Sequence, residues 1–156
     1  MRNRKNGFSL IELLVVVAII MVIVAMAIPN VLRTRMTANE TSAVGSLSTL
    51  NSACITYLTI YGSYPPALSA LGPGSAVNSN SADLIDSVLS SGAKSGYNFV
   101  FTPGAKDNSG RVNVYSVTAQ PINLGTTGQR SFYTDQSGVI RGSTAGPADV
   151  TSTPIS

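Results

Sequence analysis

One carboxylate stands at the start of a long apolar segment, and its position is chemically demanding. Glu12 directly precedes residues 13–28, which contain no charged side chain. A charge inside a bilayer segment costs about 2.5–3.5 kcal/mol on insertion scales, so such a residue points to a function and to a compensating partner. The sequence therefore predicts that Glu12 acts together with a nearby cation.

A cation becomes available to Glu12 if the chain is cut before Phe8. The preceding segment ends in Gly7 and contains three basic residues, Arg2, Arg4 and Lys5. Cleavage after Gly7 would give Phe8 a free, protonated α-amine about one helical turn from Glu12. Such a cut would leave an amine and a carboxylate placed to pair.

This arrangement resembles the class III signal of the type IV pilin superfamily, which includes type IV pilins and the pseudopilins of type II secretion. The resemblance rests on the basic leader ending in Gly7, the run FSLIE at 8–12 and the apolar segment after it. It implies that a membrane peptidase cuts between Gly7 and Phe8 and methylates Phe8, and that Glu12 is needed for assembly. The resemblance is close over about the first 30 residues and weaker from there to about Tyr61. In the remaining chain only the architecture is similar.

The apolar segment also fits an ordinary membrane anchor or a conventional signal peptide. Residues 8–28 would span about 32 Å as a helix, close to the ~30 Å of a bilayer core, as an anchor requires. The small residues Ala25 and Ala27 imitate the cleavage site of a conventional signal peptide. The segment is longer than a usual signal and contains Glu12, which favours the pilin-type signal. The basic leader predicts a single-pass inner-membrane precursor with its N-terminus in the cytoplasm.

Composition argues against several functional classes. The net charge of +3 comes from the leader, since the remaining chain has seven basic and seven acidic side chains, so no nucleic-acid partner is implied. The absence of histidine excludes Ser-His and Cys-His catalysis, and we expect neither an enzyme nor a metal or other cofactor. Calcium binding by the Asp-containing turns is a minor alternative. The single cysteine, Cys54, is expected to be a core thiol, with intermolecular pairing as the other option.

The helical pattern continues beyond the apolar segment despite a proline. Pro29 removes one helix hydrogen bond and predicts a kink, although a helix end is the alternative. Apolar residues then repeat at three- and four-residue spacings up to Gly62, where the helix should end: Val44, Leu47, Leu50, Cys54, Tyr57, Leu58 and Tyr61. Arg33 and Arg35 are expected at the far membrane interface, or paired with Glu40 of a neighbouring subunit.

The remaining chain predicts a small domain. Residues 83–89 suggest a short helix between Ser81 and Gly92 as caps, with Asp83 and Asp86 on a solvated face. Alternation then predicts three or four antiparallel strands around Tyr97-Asn98-Phe99-Val100-Phe101, Val112 to Ser116, Phe132-Tyr133 and Val139-Ile140. Turns are predicted at 107–110 and 135–138, and residues 143–156 are expected to be loosely held.

Together these features predict an α+β fold, a long N-terminal helix kinked at Pro29 and packed on a small antiparallel head. The segments are a leader at 1–7, a transmembrane and assembly helix at 8–30, a helix half packing on the head at 31–62, and the head at 63–156. The resemblance implies a structural subunit of a type IV pilus-like filament: a helical homopolymer that is processed by prepilin peptidase, built by inner-membrane assembly machinery and displayed at the cell surface. A major pseudopilin and a membrane-anchored binding module are the alternatives.

Overall fold

The computed structural model describes residues 8–155, so Gly7 and the rest of the predicted leader lie outside the described residues. Three helices are present: α1 at Leu10–Tyr61, a 3₁₀ helix at Leu68–Leu71 and α2 at Ser87–Ser90. The strands are β1 Ala93–Lys94, β2 Tyr97–Pro103, β3 Tyr115–Pro121, β4 Ser131–Asp135, β5 Arg141–Ser143 and β6 Thr153–Pro154. The predicted α+β class is confirmed, and the chain divides between Arg35 and Met36 into two compact units.

The N-terminal unit contains the apolar beginning of α1. An 18-residue window of this helix has a mean hydropathy of 3.2 and is 0% buried, so by length and composition it could cross a membrane. The helix continues through Pro29, and the alternative that it ends there is therefore wrong. The kink itself stays a prediction.

In the second unit, α1 presents the predicted stripe to the core. Leu47, Leu50 and Cys54 are fully buried and Tyr57 is 3% exposed. The stripe also includes a polar residue that apolar periodicity did not reveal, Asn51. The helix ends as predicted at Gly62, whose φ of 70° favours glycine and whose N–H donates to the Leu58 carbonyl at 2.8 Å.

The sheet is antiparallel, with its six strands in sequence order. On β2, Tyr97 and Phe99 are buried, as the alternation predicted. β3 begins at Tyr115, near the end of the predicted run Val112 to Ser116; Tyr115, Val117 and Ala119 face the core, whereas Val114 is 46% exposed. The register accounts for the buried face, because Phe99 lies opposite Ala119 and Phe101 opposite Val117, and directly opposed residues share a face of the sheet.

The sheet has six strands where three or four were predicted. The piece predicted at Val139-Ile140 lies directly before β5, and β1 and β6 are too short to show alternation. The last of them lies within residues 143–156, which we expected to be loosely held. Instead Pro154 lies opposite Arg141 in the ladder, and the Ile155 N–H donates to the Ile140 carbonyl at 2.9 Å. Ala148 in the same segment is 4% exposed, so backbone pairing and burial both hold it.

The two predicted turns are confirmed, and the short helix differs from its prediction. Gly110 and Gly138 each donate a backbone hydrogen bond at 2.9 Å to the aspartate carbonyl that begins the turn. The helix predicted over residues 83–89 begins only at Ser87, and its N-cap is Asp86 instead of Ser81. The Asp86 carboxylate accepts from two backbone N–H groups, because this geometry satisfies donors at the helix start.

Candidate assembly site

Glu12 closes the N-terminus of its own helix. Its Oε2 atom accepts a hydrogen bond from the Ser9 N–H at 3.0 Å, and the Leu13 N–H donates to the Ser9 carbonyl at 3.2 Å. This is one half of a capping box, in which the carboxylate of the third helical residue reaches back to the N-cap N–H. The carboxylate also lies at the positive end of the helix dipole, so its charge is partly compensated within the subunit.

Phe8 lies beside this capped carboxylate. Phe8 and Glu12 line one shallow groove together with Ile11, Val15 and Val16. The Phe8 nitrogen is one residue from the Ser9 nitrogen, so it lies within about 7 Å of the Glu12 carboxylate. An amine created at Phe8 would therefore be close enough to interact with Glu12, while cleavage at Gly7 and methylation stay predictions.

The helix behind this site is apolar on all sides. From Phe8 to Leu32, the large apolar side chains are exposed, from 41% at Val17 to 81% at Phe8. A continuous apolar surface of this kind marks contact with a membrane or with other proteins. Pro29 lies within this surface.

Glu40 forms contacts within its own chain that the sequence did not suggest, while its pairing with a neighbouring chain stays a prediction. The sequence makes it a candidate partner for Arg33 or Arg35 of a neighbouring subunit. Within its own subunit, Glu40 Oε1 accepts from the backbone N–H groups of Gln129 at 2.8 Å and Arg130 at 3.2 Å. Glu40 therefore anchors the β3–β4 loop to α1, and one of its two oxygens is already occupied.

Two asparagines of α1 also bind the head. Asn39 Nδ2 donates to the Thr127 carbonyl at 2.9 Å, and Asn51 hydrogen-bonds Thr134 and Tyr115. Sequence reasoning missed both, because their partners are more than 60 residues away in the chain. Cys54, close to Asn51, is a buried free thiol, in keeping with its expected core position.

Two further carboxylates, those of Asp86 and Asp107, stabilise local structure. The Lys94 amine donates to Asp86 at 2.7 Å, and this bond together with the capped N–H groups lowers the pKa of the Asp86 carboxyl. Asp107 Oδ1 accepts from the N–H groups of Ser109 and Arg111, which lowers its pKa as well. Within residues 8–155, no group of three His, Cys, Asp or Glu side chains is placed to hold a metal.

Comparison with known proteins agrees with the geometry at the N-terminus. Residues 2–28 match the family model described as the prokaryotic N-terminal methylation motif. The chain is 52% identical over 48 residues to the type IV wide pilus major component PilA4 of Thermus thermophilus. That match covers 31% of this chain and 36% of the relative, so it spans about a third of each. The motif and the relative each show what part of this chain is similar to, and each match covers less than half of it.

Proposed function

We propose that this chain, whose N-terminus contains the methylation motif of type IV pilins, is a structural subunit of a type IV pilus-like extracellular filament. The observation that supports it most strongly is the combination of Phe8 and Glu12 in one groove at the start of an apolar helix. A helix with this much exposed apolar surface needs either lipid or other helices around it. A filament supplies those helices.

Processing would convert the membrane precursor into a subunit ready for assembly. The apolar segment would hold the precursor in the inner membrane, with the basic leader in the cytoplasm. Prepilin peptidase would cut after Gly7 and methylate the Phe8 amine. The chain's own chemistry is limited to presenting this site, and the reaction is carried out on it by another protein.

Electrostatics would then favour one mode of docking. In the unassembled subunit, Glu12 is compensated by the Ser9 N–H and the helix dipole. In a bundle of apolar helices it also needs a cation, because a buried charge without a partner is strongly unfavourable. The Phe8 amine of the same subunit would meet this need in part, and that of an adjoining subunit would meet it only when the two helices are in register.

The main alternative is a major pseudopilin, which shares the N-terminal signal. PilA4 is a pilus component, and this chain has no tryptophan, whereas major pseudopilins typically have a tryptophan-containing segment near the C-terminus. Deleting the gene and imaging the cells separates the possibilities. Loss of surface filaments, restored by the wild-type gene, supports the proposal. Loss of secreted enzymes with normal filaments points to a pseudopilin, and loss of neither points to an anchored binding module.

A further inference from the structure

Asn51 forms a buried polar contact in the middle of the apolar stripe of α1. Its Nδ2 atom donates to Thr134 Oγ1 at 2.9 Å and to the Gly138 carbonyl at 3.2 Å. Its Oδ1 atom accepts from the Tyr115 hydroxyl at 3.1 Å. One helix residue therefore binds β3, β4 and the turn that follows β4.

Water has little access to this contact. Asn51 is 7% exposed, Tyr115 4% and Thr134 0%. The Thr134 hydroxyl also lies 3.2 Å from the Asn51 Oδ1 atom and from the Val139 carbonyl, so it has an acceptor within reach. Buried polar groups whose partners all lie within the protein hold a single arrangement, because any other leaves them unpaired.

The apolar part of the stripe distinguishes one register from the next only by the size and shape of its side chains. Leu47, Leu50 and Cys54 are all buried and follow one another at helical spacing. Sliding the helix by one turn, about 5.4 Å, would replace one apolar side chain by another over most of the contact. At Asn51, however, the same slide would place an apolar side chain against Thr134 and Tyr115.

We propose that Asn51 is a positioning residue that fixes the axial register of the sheet on α1, whereas Asn39 and Glu40 bind only the β3–β4 loop. The inference rests on the proposed function for its consequence. The N-terminal part of α1 would build the filament, so the register at Asn51 would set where each head lies along it. A buried polar residue that selects one register among several apolar ones has the same effect in coiled coils.

Electron–electron distance measurements on the full-length chain in detergent test this directly. Spin labels are placed at two exposed positions, Ser52 on α1 and Val100 on β2, after Cys54→Ala removes the native thiol. The triple variant Asn51→Leu, Thr134→Val, Tyr115→Phe removes the three side-chain polar groups together. We expect one narrow distance in the parent, and a second, distinct population in the triple variant that is shifted by up to about 5 Å, the rise of one helical turn.

The control is Tyr57→Phe, which removes another buried hydroxyl of the stripe whose partner is the Ser79 carbonyl. It should keep the single parental distance. If the triple variant also keeps that distance, the inference is wrong.

Two single substitutions at Thr134 test the same inference if the triple variant does not fold. Thr134→Ser keeps the hydroxyl and should keep the parental distribution, whereas Thr134→Val should broaden it. Identical distributions in this pair would also overturn the inference. None of these measurements requires filaments, so their outcome is independent of whether the filament proposal holds.

Discussion

The carboxylate of Glu12 and the backbone N–H of Ser9 are joined by a 3.0 Å hydrogen bond at the start of α1. Glu12 is therefore not a bare charge on an apolar helix even before assembly, since its own helix terminus compensates it in part. This relationship separates two roles of Glu12, closing the helix and supplying charge, which different substitutions can address.

Replacing Glu12 with Gln should leave the helix start intact and remove the charge. The Gln carbonyl can still accept from the Ser9 N–H, so membrane insertion and cleavage should be normal. Filament yield should fall roughly tenfold or more, because losing one partner of a buried ion pair costs a few kcal/mol. The filament yield is measured by quantifying the filaments sheared from the cells. Ser9→Ala, which keeps the backbone donor, is the matched control, and an unchanged yield from Glu12→Gln would remove the electrostatic account.

Pro29→Ala should strengthen α1 where we predict a weak point. Alanine restores the missing backbone donor and relieves the clash with the preceding turn, together worth about 3 kcal/mol in a helix interior. Hydrogen exchange around residues 25–29 should slow, and filaments should become stiffer in stretching measurements. A filament map that shows regular helix through residues 22–30 in the native protein would contradict the predicted kink.

Glu40→Ala should loosen the β3–β4 loop and destabilise the head. The carboxylate accepts two backbone hydrogen bonds, so its loss should lower the free energy of unfolding by about 1–3 kcal/mol. Denaturant unfolding of the full chain in detergent measures the change. Glu40→Gln, which retains an acceptor, should lose clearly less, and equal losses from the two variants would show that hydrogen bonding to the loop is not the cause.

Two glycine substitutions should change stability in opposite directions. A Cβ at Gly128 would lie 2.1 Å from the hydroxyl of Tyr97, which is fully buried and held by a 2.7 Å hydrogen bond to the Arg130 carbonyl. Gly128→Ala should therefore lower the free energy of unfolding by about 1–3 kcal/mol.

Gly45 is an exposed helical residue with no atom near its Cβ position, so Gly45→Ala should raise the free energy of unfolding by about 0.5–1 kcal/mol. Thermal unfolding of both variants measures the two changes in stability. A Gly128→Ala variant more stable than the wild type would refute the packing argument.

The sequence predicted local features and missed those that depend on distant partners. Gly62 as the helix end and the buried Tyr97 and Phe99 follow from turn chemistry and alternation, which act over a few residues. The strand predicted over Val112 to Ser116 begins only at Tyr115, because pairing with β2 determines where β3 lies and which of its faces is buried.

The same limit applies to the polar contacts of α1. Glu40 and Asn51 bind partners more than 60 residues away, and nothing in their own neighbourhood distinguishes them from solvent-exposed polar residues. By contrast, Glu12 could be identified because its partner, Ser9, is three residues away and the apolar segment makes a charge conspicuous.

Mass spectrometry of the N-terminal peptide from filaments sheared off the cell surface tests the central claim most directly. We predict that this chain is present in those filaments and begins at Phe8 with one added methyl group on its α-amine. Absence of the chain from the filaments, or a chain there that begins at Met1 or at Ile28, would contradict the account.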